Sequence, residues 1–304
     1  MATQFSGVNP ANVVPMTEDG ATIDEGSLER HLADLVDTDG VNGIVTNGHA
    51  GEVYALSRAE RARVVELAAE TADADTPIVS GVVGGSTQEI VEGIARVNKA
   101  GADGVLVVPP HTPIHTRPEA ARGFFRTIAD ASDLPLIVFQ HPHWAGGHYP
   151  PDLLADIAAT DGVVAVKDAV WDVDHYQEDR RALRDGEADV DLYVANDEHL
   201  LPSFALGSDG TVLELAAVVP ELVVDLYEAV EDSDLKRARA VYDRMEPFVD
   251  AMYEPPVTDS HTRLKVALEL RGTIDSAAPR PPTAPIHEEE VAGIERAMEA
   301  SGVF

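Results

Sequence analysis

The chain has 304 residues, 44% of them apolar, no cysteine, and 22 basic against 54 acidic residues for a net charge of −32. That composition supports a packed core, excludes disulfides and thiolate chemistry, and excludes nucleic acid as a partner, because so acidic a surface repels phosphate. No apolar run reaches the roughly 20 residues of a membrane span, and the opening "MATQFSGVNP" lacks a signal-peptide pattern. The expectation is a cytoplasmic protein with no membrane partner.

Taken in chain order, "GVNPANVVP" (7–15) predicts a first strand. It is followed by "VNGIVTNG" (41–48), "TPIVSGVV" (76–83), "DGVLVVPP" (103–110) and "LPLIVFQ" (134–140). Then come "GVVAVKD" (162–168), "DLYVAN" (191–196) and "GTVLEL" (210–215). Amphipathic helical stretches lie between them, such as 57–72 and 86–101, and Ser57 with Glu60 and Ser86 with Glu89 have the form of capping boxes. Most intervals are roughly 30 residues, the length of a βα unit. Eight such runs predict a (β/α)8 TIM barrel. An open doubly wound sheet is the alternative, but the first turn carries no G-x-G-x-x-G. Four helical stretches follow, 221–231, 234–252, 260–271 and 287–300, with "PRPPTAP" (279–285) as a stiff connection before the last. The expected organisation is a barrel over 1–220 and, over 221–304, the last barrel helix with a C-terminal helical extension.

The acid is spread along the whole length amid persistent apolar periodicity, which argues against disorder. A uniformly acidic, lysine-poor surface resembles proteins of salt-loving organisms, where salt screens the self-repulsion. The only lysines are Lys99, Lys167, Lys236 and Lys265. Lys167 ends the apolar strand run "VVAVKD". Alternation puts Val163, Ala165 and Lys167 on one face. Lys167 lies at the C-terminal strand end, where barrel active sites form. Burial lowers an ammonium pKa, and the neutral amine can attack a ketone to form a Schiff base. The competing reading is a structural lysine paired with Asp168 or Asp197.

Six segments bear on that choice. They are "GVNGIVTNGHAGEVYALSRAER", "GADGVLVVPP", "LPLIVFQHP", "VVAVKDAVWD", "NDEHLLPSFALGSDGTV" and the late "RPP" (280–282). In order and spacing they resemble the dihydrodipicolinate synthase / N-acetylneuraminate lyase family of class I, Schiff-base lyases, over roughly residues 7–300. The resemblance implies that Lys167 is the Schiff-base residue. It also implies that the loop Gly48-His49-Ala50-Gly51-Glu52, where the family carries G-T-T-G-E, faces a keto acid's carboxylate through backbone N–H groups ahead of a helix N-terminus. Glu52 reads as a buried structural acid rather than a catalytic one.

This chain departs from the family at the site. The family's general acid/base, a tyrosine ending the fifth strand, is Phe139, followed by Gln140. The fourth-strand tyrosine region reads His111-Thr112. The arginine that dihydrodipicolinate synthases carry soon after Y-N-x-P is absent, His143 and Trp144 following Pro142. Relatives resembling 2-keto-3-deoxypentonate dehydratases also lack the tyrosine and carry glutamine near this point. Candidate substrate contacts are therefore Gly48, His49, Ala50, Thr112, Phe139 and Gln140.

Candidate proton carriers are His49, His111 and His141, each at or past a strand end and each suited to acid/base work near neutrality. The alternative for each is a loop histidine serving only as a hydrogen-bonding group. His141, His143 and His148 raise the thought of a metal, but Pro142 intervenes and no acidic ligand has a place, so no metal and no cofactor is expected. Trp144 and Gly146-Gly147 read as a loop or lid.

The expected function is dehydration of a 2-keto-3-deoxy sugar acid. The alternatives are an aldolase releasing pyruvate, a metal-dependent lyase and a non-catalytic keto-acid-binding paralogue. The resemblance implies a homo-oligomer, in the family usually a tetramer; the missing fourth-strand tyrosine, which in relatives often reaches a neighbour's site, removes one reason to require it.

Overall fold

The computed structural model describes residues 3–108, 110, 114–141, 148–170, 172–186 and 188–303. Eight parallel strands alternate with helices in a (β/α)8 TIM barrel. The first half runs β1 (Gly7–Pro10), α1 (Glu25–Val36), β2 (Ile44–Thr46), α2 (Arg58–Thr71), β3 (Ile78–Val82), α3 (Thr87–Ala100), β4 (Gly104–Val107) and α4 (Pro118–Asp130). The second half runs β5 (Leu136–Gln140), α5 (Pro151–Ala158), β6 (Val163–Asp168), α6 (Val173–Asp185), β7 (Asp191–Val194), α7 (Leu200–Ala205), β8 (Gly210–Leu213) and α8 (Pro220–Glu231). The helices α9 (Leu235–Tyr253), α10 (Ser260–Leu270) and α11 (Glu288–Ser301) follow.

The hydrogen-bonded order is β1-β8-β7-β6-β5-β4-β3-β2. Two isolated parallel bridges, Val8 to Val41 and Ala11 to Val45, join the remaining edges. All eight strands form inside the runs read from the sequence, and nearly every residue in them is buried whichever face it takes, as in a barrel strand between lumen and helices. The first is much shorter than the expected 7–15.

The helix-start signals divide. Ser57 and Glu60 make the full reciprocal capping box. Ser86 accepts the Glu89 N–H at 3.2 Å, but the Glu89 carboxylate takes the Gly85 N–H at 2.8 Å and Arg58 at 2.7 Å instead of returning to Ser86. Only half the box closes, because a cation and an earlier N–H compete for the acid.

One close approach shapes the site. A Cβ on Gly81 of β3 would lie 2.1 Å from the carbonyl oxygen of Asn47, so glycine there lets the turn after β2 fold down on its neighbour. Asn47 itself has a φ of 53° and ties the turn down by donating to the Arg61 carbonyl at 2.9 Å and Ser80 Oγ at 3.0 Å.

The candidate active site

Lys167 projects into the lumen from the last turn of pleat in β6. It is 4% exposed and makes no hydrogen bond or ion pair among the described residues. In register beside it on β5 is Phe139, whose ring centroid lies 4.3 Å from Nζ. Burial pushes the Lys167 pKa down to about 8, against the opposing pull of the Glu214 and Asp197 carboxylates. At pH 7 roughly a tenth of the amine is then neutral, against less than about a thousandth for an ordinary lysine. Neither acid considered as a partner pairs with it: Asp168 points to the other side of the sheet, and Asp197 acts on it only through space.

The other buried lysine provides the contrast. Lys265 on α10 is fully buried and forms an ion pair with Glu52, which also accepts the Arg280 N–H at 3.2 Å. Glu52, with a φ of 50°, thus anchors the β2 loop to α10 and to the segment before α11, and it does not line the cavity at Lys167. The loop runs into a single 3-10 turn, Val53–Ala55, and α2 starts after the Ser57 cap, where the sequence places it.

The cavity at Lys167 is lined by His49, Phe139 and His141, by Asp197 and Glu198 after β7, by Val212 and Glu214 from β8, and by Tyr253, Val257 and Ser260 from the C-terminal helices. His49 Nδ1 lies 2.5 Å from Glu214 Oε1, and Ser260 Oγ donates to Glu214 Oε2 at 3.3 Å. The His49 ring meets His261 edge-on at 5.7 Å. Burial alone would raise the Glu214 pKa, but His49, Lys167 and His261 more than offset it and hold the carboxyl down at about 2. Asp197 goes the other way: burial and the Glu214 charge push it up to about 7. Two carboxyls facing one lysine therefore have pKa values about five units apart, the arrangement that separates acid/base roles in a site.

Of the residues named from the sequence, Lys167, His49, Phe139 and His141 converge on this cavity. His141 packs edge-on to Phe139 at 5.9 Å. Gly48 and Ala50 are buried in the loop beneath His49 and contribute backbone rather than wall. Gln140 does not reach the cavity: one residue beyond Phe139, it faces the outer layer with Asp168. There its amide donates to Asp168 Oδ1 at 3.1 Å and to Asp179 Oδ2 on α6 at 2.6 Å. Burial, with Asp179 alongside, pushes the Asp168 pKa well up, so this is a carboxyl pair bridged by an amide behind the site. His111, Thr112, His143, Trp144 and Gly146-Gly147 lie outside the described residues. Among the described residues no group of three or more His, Cys, Asp or Glu is placed to hold a metal ion, and no helix is long and apolar enough to cross a membrane.

Asp197, Glu214 and Tyr253 were not singled out as site residues from the sequence. Glu214 carried the same signal as Lys167, a charge at the C-terminal end of an apolar strand. Tyr253 carried none, since it belongs to a helix outside the barrel.

A (β/α)8 barrel holding a buried, unpaired lysine at the C-terminal end of β6 has the design of a class I, Schiff-base lyase. The profile of the dihydrodipicolinate synthetase family matches residues 4–301, and the chain belongs to that family. The 4-hydroxy-tetrahydrodipicolinate synthase of Methanopyrus kandleri is 32% identical over 307 residues, covering 100% of this chain and 99% of its own. Among solved structures, a protein described as the first monomeric dihydrodipicolinate synthase variant superposes with a TM-score of 0.92 at 26% identity, over 100% of this chain and 99% of its own. The dihydrodipicolinate synthase of Thermotoga maritima gives 0.90 at 27% identity, over 99% and 100%.

Proposed function

We propose that the protein dehydrates a 2-keto-3-deoxy sugar acid through an imine on Lys167, for example a 2-keto-3-deoxypentonate to 2-oxoglutarate semialdehyde. The observation that carries this is the pairing of a buried lysine, with no hydrogen bond among the described residues and its pKa lowered to about 8, with a phenyl ring. Lys167 attacks the C2 ketone, and the carbinolamine loses water to give an iminium. The C3 proton then leaves and its electron pair forms the enamine. The enamine expels the C4 hydroxyl, which departs with a proton as water. A hydrogen shift from C5 to C3 leaves a C4=C5 enol, whose hydroxyl proton moves to C4 to give the C5 aldehyde, and hydrolysis of the imine releases the semialdehyde and the free lysine. Retro-aldol cleavage instead needs a base on the C4 hydroxyl, and at the position where the family places that phenol Phe139 has no proton to move.

The acids at the cavity mouth favour a polyhydroxy substrate. Asp197, Glu198 and Glu214 offer carboxylate acceptors to sugar hydroxyls. The relatives' named activity, tetrahydrodipicolinate synthesis, fits less well, since His143 and Trp144 stand where those enzymes carry an arginine for a second carboxylate. A second reading, aldolase, has one observation in its favour: Asp197, held near neutrality, is itself a base available to a C4 hydroxyl. Mass spectrometry of products from a panel of 2-keto-3-deoxy pentonates and hexonates separates the two, as loss of water or release of pyruvate. Turnover of none of them, with no borohydride-trapped adduct on Lys167, would leave only a keto-acid-binding role.

We further infer a cytoplasmic sugar-acid degradation enzyme of a salt-loving cell, working as a homo-oligomer. The acid excess supports the salt reading, because screening relieves the repulsion. For assembly, family resemblance favours a tetramer, and the likeness to a monomeric variant favours single chains. Sedimentation in molar salt decides between them.

A further inference from the structure

Tyr253 is the last residue of α9, outside the barrel, yet it lines the cavity at Lys167 together with Asp197 and Glu214. Its ring is half-buried, and its hydroxyl is fully enclosed without a hydrogen-bond partner among the described residues. The phenol lies beside Asp197, outside strict hydrogen-bond geometry but near enough for each to act on the other's proton. Asp197 is itself held in place, its Oδ1 accepting the Leu215 N–H at 3.1 Å.

The position of Tyr253 is fixed by a buried cation. Arg263 on α10 is 1% exposed; it donates to the Met252 carbonyl at 3.1 Å and to the Glu254 carbonyl, the two groups flanking Tyr253. Glu290 on α11 anchors the same guanidinium at 2.6 Å. Three helices outside the barrel are thus clamped around one tyrosine. A buried polar group left unpaired inside so ordered a frame calls for a reason.

We propose that Tyr253 is the proton donor in the imine chemistry of Lys167, with Asp197 returning its proton, and that this pair replaces the phenol absent from β5. The inference rests on the Schiff-base reading of Lys167; the imine-forming step is shared by dehydration and retro-aldol cleavage, and the C3 step belongs to dehydration. In the carbinolamine, the Tyr253 proton passes to the C2 hydroxyl, the C–O bond breaks, and the nitrogen lone pair forms the C=N bond as water leaves. The phenolate takes a proton from neutral Asp197. The resulting Asp197 carboxylate accepts the C3 proton when the enamine forms, which restores it to the neutral acid. Every proton is returned, and no outside reagent enters.

The electrostatics suit these roles. Burial, reinforced by Asp197 and Glu214, holds the Tyr253 phenol well above its ordinary pKa. It therefore stays protonated as a donor. Asp197, near 7, is populated in both states at neutral pH. Among the described residues, the charged and titratable groups around the pair are Lys167 from β6, His141 after β5, Glu198 after β7, Glu214 after β8, His49 after β2 and His261 of α10.

The test is a time course of pyruvate trapping on Lys167 with cyanoborohydride, read by intact mass for the wild type, Tyr253→Phe, Asp197→Asn and Tyr227→Phe. Tyr227 on α8 hydrogen-bonds the Asp209 carbonyl away from the cavity and controls for loss of a phenol elsewhere. Tyr253→Phe is expected to reach the wild-type extent of labelling about 100-fold more slowly, with Tyr227→Phe unchanged. An equal extent at a lower rate separates proton transfer from packing, which would alter the extent. A Tyr253→Phe rate within twofold of wild type overturns the proposal. Should that variant fail to fold, exchange of the pyruvate C3 protons for deuterium, which passes through Asp197, decides instead: an Asp197→Asn exchange rate equal to wild type overturns the proposal. Absence of any adduct in the wild type overturns the Schiff-base reading itself, an outcome distinct from both.

Discussion

The Lys167 ammonium lies 4.3 Å from the centroid of the Phe139 ring, on the adjacent strand and in register with it. The ring excludes water from the amine and offers no proton, so Phe139 both depresses the lysine pKa through burial and withholds the acid/base group from its side of the site.

Phe139→Tyr therefore places a phenol beside the imine carbon. The variant is expected to shift the product ratio from water loss towards pyruvate release by about tenfold or more, since one positioned acid/base group is worth about 10²–10⁴ in rate. Product masses from one 2-keto-3-deoxy acid check this. A wild-type ratio with full Lys167 labelling would show that the fifth-strand phenol does not set the partition.

The pH dependence of trapping reports the same amine. Attack requires neutral Lys167, whose pKa is lowered to about 8. The initial rate should rise with pH and level near 8, well below the ordinary lysine value near 10.4. Glu214 and Asp197 both hold the charged form, so the double variant Glu214→Gln/Asp197→Asn is expected to move this limb to lower pH. The position of the limb is the readout, whatever the height of the plateau. A limb that stays put or moves up contradicts the assignment of those two acids as the groups acting on Lys167.

The barrel was legible because eight two-sided apolar strands at a regular interval admit few other folds, and Lys167 was legible because a charge ending such a strand is conspicuous. Gln140 was misplaced for a simple geometric reason: adjacent strand residues point to opposite faces, so if Phe139 meets the lysine, Gln140 cannot. The histidine–carboxylate contact of His49 and Glu214 joins residues 165 apart, and no local pattern announces it. Tyr253 depends on how α9 docks over the barrel mouth, which is a tertiary fact. Lys265 shows the limit of rarity as a clue. It is as scarce and as buried as Lys167, and only its partner tells the structural lysine from the reactive one.

That partner gives a stability prediction. Lys265 and Glu52 are 0% and 4% exposed and bonded to each other. Lys265→Met leaves a buried carboxylate facing no cation and is expected to cost about 3–5 kcal/mol in urea unfolding. The double variant Lys265→Met/Glu52→Gln should recover much of that loss, because the stranded charge is gone while the Arg280 N–H keeps an acceptor. A double variant no better than the single one would mean that the pair contributes through packing alone.

The acid limb of stability should trace in part to His31. It lies in the core face of α1, fully buried, with neither ring nitrogen hydrogen-bonded among the described residues. Burial, with a smaller contribution from Arg271, pushes its pKa down to about 3. The unfolded chain takes up a proton on this ring near pH 6.5, and the folded chain refuses it until about 3. Protons therefore favour the unfolded state throughout that window, and stability falls as the pH falls from 6.5 towards 3. His31 alone accounts for a loss on the order of 3 kcal/mol by pH 4. His31→Leu keeps the apolar contacts and removes the titration, so its unfolding free energy should decline less than the wild type's between pH 6.5 and 4. Parallel declines in the two proteins would shift the burden to the carboxylates, of which Glu214, held at about 2, loses its contribution progressively as the pH falls from 4.5 towards 2.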